Sequence, residues 1–289
     1  MHIYRKSILQ PRKKINTNYL FAPLFLQEIS SLVRRLIIQT QRRPSSLISG
    51  IIQPLLWLIL FGALFQNAPV GLFTLEIKYG QFLSSGIIIF TSFTGSLNAG
   101  LPLIFDREFG FLNRILVSPI ISKDTLLWSS SLFITTITML QTFTIVLCSF
   151  SLFNYNLNNN RLYLLTFITL LITSSISSIS IGLAFILPGH IEFLALMLII
   201  NLPMLFSSTA LAPLSFMPYW LQIIASLNPL TYGIESIRFI SMVQNWDYTS
   251  TVIKTIWIKL TLIQILFVLI ILTAISFISI KTIISDKFE

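Results

Sequence analysis

Few side chains in this chain could make or break bonds. The two histidines, His2 and His190, stand far apart in sequence, one in a basic N-terminal segment and one in a tight turn. The single cysteine, Cys148, lies inside an apolar run, so neither an intrachain disulfide nor a cysteine metal cluster is available. Since no paired carboxylates, activated nucleophile or histidine cluster is evident, we predict no catalytic residues and no metal site.

Four charged residues stand in FDREFGFLNRILVSPI, residues 105–120. We predict one short helix over this stretch. Phe105, Phe109, Leu112 and Leu116 recur at steps of three and four, which is the spacing of an apolar stripe along one helix face. This stripe would anchor the helix on the rest of the protein.

The charges of the same stretch fall outside the stripe. Asp106 and Glu108 stand near the predicted helix start, where negative charge suits the positive end of the helix dipole, and Pro119 marks the stop. Arg107 and Arg114 project elsewhere. Two interpretations stay open at this point, an interfacial loop helix with solvated charges or a surface that docks a partner.

The composition indicates a membrane protein. Only 10% of the 289 residues are charged, 54% are hydrophobic, and the mean hydropathy is +0.83. The formal net charge is +9. In so apolar a chain, excess positive charge is typical of inner-side loops rather than of nucleic-acid binding, so we expect no nucleic-acid partner.

Six stretches are long and apolar enough to span a bilayer, which takes about 20 residues in a helix. They cover about 47–66, 82–105, 125–150, 162–187, 191–211 and 257–280. Only the tripeptide PGH separates the fourth from the fifth, which predicts a tight turn. We therefore predict an all-α integral membrane protein whose six-helix domain occupies 47–289.

Two segments precede the first span. Residues 1–18 form a basic tail, for which an organellar targeting segment and a plain disordered tail are both open interpretations. Residues 19–46 predict an amphipathic helix that lies in the membrane interface, with Arg34 and Arg35 among anionic lipid headgroups. Membrane lipids are thus the first expected partners.

The distribution of basic residues predicts the orientation. Of the 19 Lys and Arg residues, 14 fall on the side of both termini and of 105–120, against 5 on the other side. On that other, outer side, residues 213–245 are too apolar for a soluble loop. We predict two short helices, split at Asn228-Pro229, that form a re-entrant hairpin between spans five and six.

Polar groups inside or beside the membrane part are few. Glu235 and Arg238 stand three apart and predict an ion pair, for which we favour a structural role over substrate contact. Asn98, Gln141 and Asn201 fall in the middle of spans, where they would line a path or, more commonly, bond to neighbouring helices.

The sequence offers no internal energy source for transport. Apart from Lys259 at the rim of the last span, the six cores lack Asp, Glu, Lys and Arg, which disfavours ion coupling and voltage sensing. No G-x-x-x-x-G-K-[S/T] phosphate loop is present. An external ATPase would need an inner-side docking surface, and 105–120 is the best candidate.

Two separated motifs resemble those of ABC-2 type permeases, the membrane subunits of one class of ABC transporter. DREFGFLNRILVSPI resembles the segment between their second and third spans, and TALAPLSFMPYWLQIIASLNPLTYGIESIRFI resembles their outer re-entrant region. With FLSSGIIIFTSF in span two, the resemblance covers the chain from about residue 20. Phe111 departs from the family pattern, which commonly has a small polar residue after the glycine.

The resemblance implies roles for both motifs. The first would contact a separate ATP-binding subunit, which holds the ATP and Mg, so that this chain binds no cofactor. The implied ATPase-coupling residues are Asp106, Arg107, Glu108, Gly110, Leu112, Arg114, Leu116 and Pro119. The implied outer gate residues are Pro218, Trp220, Asn228, Pro229, Tyr232, Glu235 and Arg238.

The resemblance also implies a dimer with a second permease copy. Spans two and five would face the dimer interface, which makes Asn98 and Asn201 candidates for a translocation path. The expected function is an ATP-driven exporter. A membrane assembly factor with an ATPase partner, for example in haem-related maturation, and a non-ABC channel or scaffold are the alternatives.

The expected location is a plastid membrane, because the sequence is similar to permeases encoded in algal plastids. A bacterial inner membrane is the alternative. In either case both termini would face the stroma or cytoplasm.

Overall fold

The computed structural model describes residues 17–42, 44–65, 79–117, 124–153, 159–243 and 247–288. The predicted basic tail lies outside these residues, except that its last two belong to the first helix. The helices are α1 (Thr17–Gln41), α2 (Pro44–Leu64), α3 (Tyr79–Leu97), α4 (Leu101–Glu108), α5 (Phe111–Val117), α6 (Asp124–Phe153), α7 (Asn159–Ile186), α8 (His190–Phe206), α9 (Tyr219–Leu227), α10 (Pro229–Met242) and α11 (Leu262–Phe288).

Five helical segments among the described residues are long and apolar enough to cross a membrane. They are Leu47–Leu64, Tyr79–Glu108, Thr125–Phe153, Asn160–Ile186 and Leu262–Ile283, and they match five of the six predicted spans. The remaining predicted span corresponds to α8, which is apolar but only 17 residues long. The chain is thus a mostly helical integral membrane protein.

Helices α3 and α4 form one nearly continuous helical segment, joined by a 3-10 turn at Asn98–Gly100. Small side chains bring α7 against this turn. The Ser180 hydroxyl accepts from the Gly100 N–H at 3.0 Å and donates to the Leu97 carbonyl, and a Cβ on Gly100 would stand 2.5 Å from the Ser180 carbonyl oxygen. Ser180 of α7 is thereby packed and hydrogen-bonded against the turn that precedes α4.

The prediction of a single helix over 105–120 is wrong. Helix α4 ends at Glu108, and α5 starts only at Phe111. Gly110 lies between them with φ of 71°, a left-handed conformation that glycine adopts without the Cβ penalty and that commonly ends a helix. As a result the expected stripe is broken, because Leu112 is buried whereas the Phe109 side chain is 80% exposed.

The turn at the PGH tripeptide and the break at Asn228-Pro229 are both present as predicted. The chain is not all-α, however. A small antiparallel hairpin, β1 (Thr251–Lys254) with β2 (Lys259–Thr261), lies before α11. Because Lys259 lies in β2 of this hairpin, the last long helix begins at Leu262, five residues later than predicted.

Candidate functional site

The charged end of α4 holds three other helices. Asp106 forms an ion pair with Arg35 of α1, and the two side chains are 18% and 29% exposed. The Arg35 guanidinium also lies over the Phe111 ring, 4.5 Å from its centroid, in a cation–π contact. Arg35 therefore ties α1 to both α4 and α5, and it is not simply a headgroup-facing arginine as predicted.

Arg107 caps the carboxyl end of α7. Its guanidinium donates to the carbonyls of Ala184 at 2.9 Å and Pro188 at 2.8 Å, and also to those of Phe185 and Leu187. The last four carbonyls of a helix lack partners within that helix. A planar guanidinium with five N–H donors suits this role, so Arg107 satisfies α7 from a neighbouring element.

Glu108 caps the amino end of α8. The His190 backbone N–H donates to its Oε1 at 2.7 Å, and His190 Nδ1 lies 2.6 Å from its Oε2. The residue before α8, Gly189, has no side chain with which to cap the helix. A carboxylate at this position satisfies an unpaired N–H and also complements the positive end of the helix dipole.

The expected placement of Asp106 and Glu108 at a helix start is wrong, because both lie in the last turn of α4. Negative charge there does not suit the dipole of α4 itself. The partners on α1 and α8 compensate for this position. We call Asp106, Arg107 and Glu108 with their partners the α4 clamp.

Beyond the α4 clamp the chain projects an apolar and basic surface. Phe109, Phe111, Arg114 and Val117 are all exposed, Val117 to 87%. We call these four residues the turn surface. Leu112 faces inward, the side chain of Leu116 is not described, and Pro119 lies outside the described residues.

A second polar cluster surrounds Arg238 in α10. The predicted ion pair with Glu235 is confirmed, and the Arg238 side chain is only 8% exposed. Arg238 also donates to the carbonyl of Thr209 at 2.8 Å, and its guanidinium lies 3.6 Å from the centroid of the Phe82 ring. A buried charge with this many partners links α10 to α3 and to the turn after α8.

The loop between α9 and α10 is fixed by Asn228. Its Oδ1 accepts from the Leu230 N–H at 3.0 Å, which caps α10, and its Nδ2 donates to the Met204 carbonyl at 3.1 Å. Pro229 occupies the first helical position, where its missing N–H is harmless. Burial raises the pKa of the Tyr232 hydroxyl, which stays protonated and donates to the Ser226 carbonyl.

Two other predicted gate residues lie on the surface of the protein. Pro218 and Trp220 are both exposed at the start of α9. The structure therefore groups Asn228, Tyr232, Glu235 and Arg238 as packed residues and separates them from this exposed pair.

Of the two candidate path residues, only Asn98 is among the lining residues of a cavity of about 380 Å³ between α1, α2, α3, α4 and α6. Asn98 is exposed and donates to the Thr94 carbonyl at 3.0 Å. Asn201 on α8 is absent from that lining. Its Oδ1 is buried and has no hydrogen-bond partner among the described residues.

Sequence reasoning missed the partners of the charged residues. Arg35, His190 and Arg161 all bind across more than 70 positions of sequence, and Arg161 donates to the carbonyls of Ser241 and Val243 at 3.1 Å. The scarcity of charged residues is a weak sequence signal that such partners exist, since each buried charge in so apolar a chain needs a partner. Within the described ranges, no group of three or more His, Cys, Asp or Glu side chains is placed to hold a metal ion.

Comparison with known proteins gives consistent matches. Residues 27–242 match the model of a family described as "ABC-2 type transporter". The protein called "Putative transport permease ycf38" in Porphyra purpurea is 53% identical over 271 residues, which is 94% of this chain and 93% of that one. The protein of that name in Cyanophora paradoxa is 50% identical over 264 residues, 91% of each chain. The chain belongs to the ABC-2 type transporter family.

Proposed function

We propose that the chain is the permease subunit of an ATP-driven exporter, working as a dimer with two copies of a separately encoded ATPase. The sequence contains no phosphate loop, so in this proposal ATP and Mg bind to the ATPase subunit. Membership of a transporter family argues against the non-ABC channel or scaffold that the sequence left open.

The observation that supports coupling best is the contrast between the turn surface and the α4 clamp. Phe109 is 80% exposed, yet the residues just before it are bound to α1, α7 and α8. Exposed aromatic and arginine side chains are the types that anchor protein interfaces. A partner that pushes this surface would therefore move several helices rather than bend one loop.

The proposal includes a membrane arrangement. Helix α8 would be the fifth of six spans, reaching across with the turn residues that follow it, and α9 with α10 would form the re-entrant hairpin on the outer side. Both termini and the turn surface would face the stroma or cytoplasm. We place the protein in a plastid membrane, in line with its resemblance to plastid-encoded permeases.

Copurification with the ATPase tests the proposal. The tagged chain would be expressed in its native membrane, solubilised gently, and compared with the variants Phe109→Ser and Arg114→Glu. Surface substitutions of this kind change stability by only about 0.5 kcal/mol, so assembly in the membrane should persist. Tyr163→Ser is the matched control, because Tyr163 is a similarly exposed aromatic residue near the start of α7.

We expect both turn variants to lose ATPase recovery about tenfold, the effect of removing an interface anchor worth roughly 1.4 kcal/mol. The control should retain the ATPase. If wild-type amounts of ATPase, with undiminished turnover, accompany both turn variants, the turn surface is not the docking site.

A further inference from the structure

The cavity lined by Asn98 has the size of a small-molecule site. Its volume of about 380 Å³ falls in the usual range for such pockets, roughly 300–1,000 Å³. Its described lining contains amide and hydroxyl groups but no Asp, Glu, Lys, Arg or His. The polar side chains include Gln39, Gln53, Asn98 and Gln141.

Gln141 is the polar group that most directly indicates a ligand. It is only 4% exposed and lines the cavity, yet its Oε1 has no hydrogen-bond partner among the described residues. Its Nε2 lies 3.5 Å from the Leu47 carbonyl, a weak contact. Reversing the amide would place two acceptors together, so the free group is an acceptor that requires a donor. A buried acceptor left unpaired costs free energy.

The Gln141 amide occupies space that would be filled by side chains if Gly50 and Gly95 were larger residues. A Cβ on Gly95 of α3 would stand 2.8 Å from Gln141 Oε1, and one on Gly50 of α2 would overlap its Nε2. Both glycines also line the cavity. The glutamine thus lies between two helices that carry no side chain at the point of contact.

We propose that this cavity binds the headgroup of a neutral, hydroxyl-bearing amphiphile. A rotation of the Gln141 side chain would bring the buried Oε1 to the cavity, where a hydroxyl of the ligand would donate to it. Further hydroxyls would bond to the amides of Gln39, Gln53 and Asn98. A charged headgroup is disfavoured because the described lining offers no opposite charge to pair with it. The apolar part of the lining, which includes Phe133 and Ile137, suits an acyl chain rather than a free sugar.

Binding in the cavity does not depend on the proposed function, whereas a role as loading site for transport rests on it. The test is therefore a binding experiment without nucleotide or ATPase. The full chain would be placed in phosphatidylcholine nanodiscs. It would then be photolabelled with a monogalactosyl diacylglycerol carrying a diazirine close to its headgroup.

The matched probe is a phosphatidylglycerol with the same diazirine and acyl chains. Labelled peptides would be identified by mass spectrometry. The variants are Gln141→Leu and Gln53→Leu, the second because Gln53 is exposed and its replacement does not disturb the packed region. Thr144→Val is the control, since the Thr144 hydroxyl is on the same helix as Gln141, bonds within it to the Leu140 carbonyl, and is absent from the cavity lining.

We expect the galactolipid probe to label α3 and α6 beside the cavity more strongly than the phosphatidylglycerol probe. Gln141→Leu should weaken labelling about tenfold and Gln53→Leu several-fold, as expected for the loss of a buried and a more exposed hydrogen bond. Thr144→Val should match wild type, and excess free galactose should not compete.

Three results would overturn the proposal. Equal labelling by the two probes would mean that the cavity does not distinguish a neutral from a charged headgroup. Competition by free galactose would mean that the ligand is a soluble sugar. Undiminished labelling of the same peptides in both Gln141→Leu and Gln53→Leu would mean that the amides do not bind the headgroup. Should Gln141→Leu unfold, undiminished labelling in Gln53→Leu alone would overturn the proposal.

Discussion

The ion pair between Arg35 and Asp106 permits a quantitative test of the α4 clamp. The changes are Arg35→Gln, Asp106→Asn and the two together. The side chains are 29% and 18% exposed, so the pair lies between surface pairs, worth under about 1 kcal/mol, and buried pairs, which cost about 3–5 kcal/mol to break. We expect a coupling free energy of about 1–2 kcal/mol between these limits.

The two single variants should differ. Arg35→Gln also removes the contact with the Phe111 ring, whose centroid lies 4.5 Å from the guanidinium carbon. An exposed cation–π contact contributes about 0.5–1 kcal/mol, so Arg35→Gln should be the more destabilising change by roughly that amount. The difference in stability between the two single variants therefore reports the contact of α1 with α5, whereas the coupling free energy reports its contact with α4.

The measurement is reversible unfolding of the purified chain in mixed micelles with increasing sodium dodecyl sulfate, followed by tryptophan fluorescence. The double-mutant cycle gives the coupling free energy directly. Arg114→Gln is the control, since Arg114 is exposed on the turn surface and lies outside the α4 clamp. Single-variant effects that add to the double within about 0.3–0.5 kcal/mol would refute the clamp as an energetic unit.

Two further outcomes are expected. Gly110→Ala should lower the free energy of unfolding by about 1–2 kcal/mol in the same assay. The cause would be the φ of 71° alone, because a Cβ there would meet nothing within 4 Å. Gly110→Asn should lower it less, and equal losses of stability for the two variants would argue against a left-handed turn. Arg238→Met should lower the free energy of unfolding by about 3–5 kcal/mol, because it leaves Glu235 unpaired. Adding Glu235→Gln should restore part of that stability. No restoration would show that the ion pair is not the main contribution of Arg238 to stability.

The elements that the sequence predicts well are those with a local cause. Apolar length alone places the five candidate spans, and proline with glycine or asparagine places the turn at PGH and the break at Asn228-Pro229. The Glu235–Arg238 pair is also local, since three residues separate its members along one helix. In each case the deciding interaction lies within a few positions of sequence.

The features that the sequence does not predict depend on distant partners. Helical spacing joins Phe109 to Leu112, but the left-handed Gly110 interrupts that periodicity, and spacing contains no information on φ. Asp106 and Glu108 lie where their own helix disfavours them, because Arg35 and His190, 71 and 82 positions away, compensate. One sequence without structure cannot pair such groups.

The α4 clamp and the cavity are built from adjacent residues of the same helices. On α1, Arg35 belongs to the clamp and Leu36 to the cavity lining; on α4, Asp106 belongs to the clamp and Phe105 to the lining. Arg107 also binds this end of α4 to the end of α7. A partner that pushes the turn, as proposed, would then move two walls of the cavity. If the proposed ligand binds one arrangement of those walls more tightly, the two sites would influence each other with equal free energy in both directions.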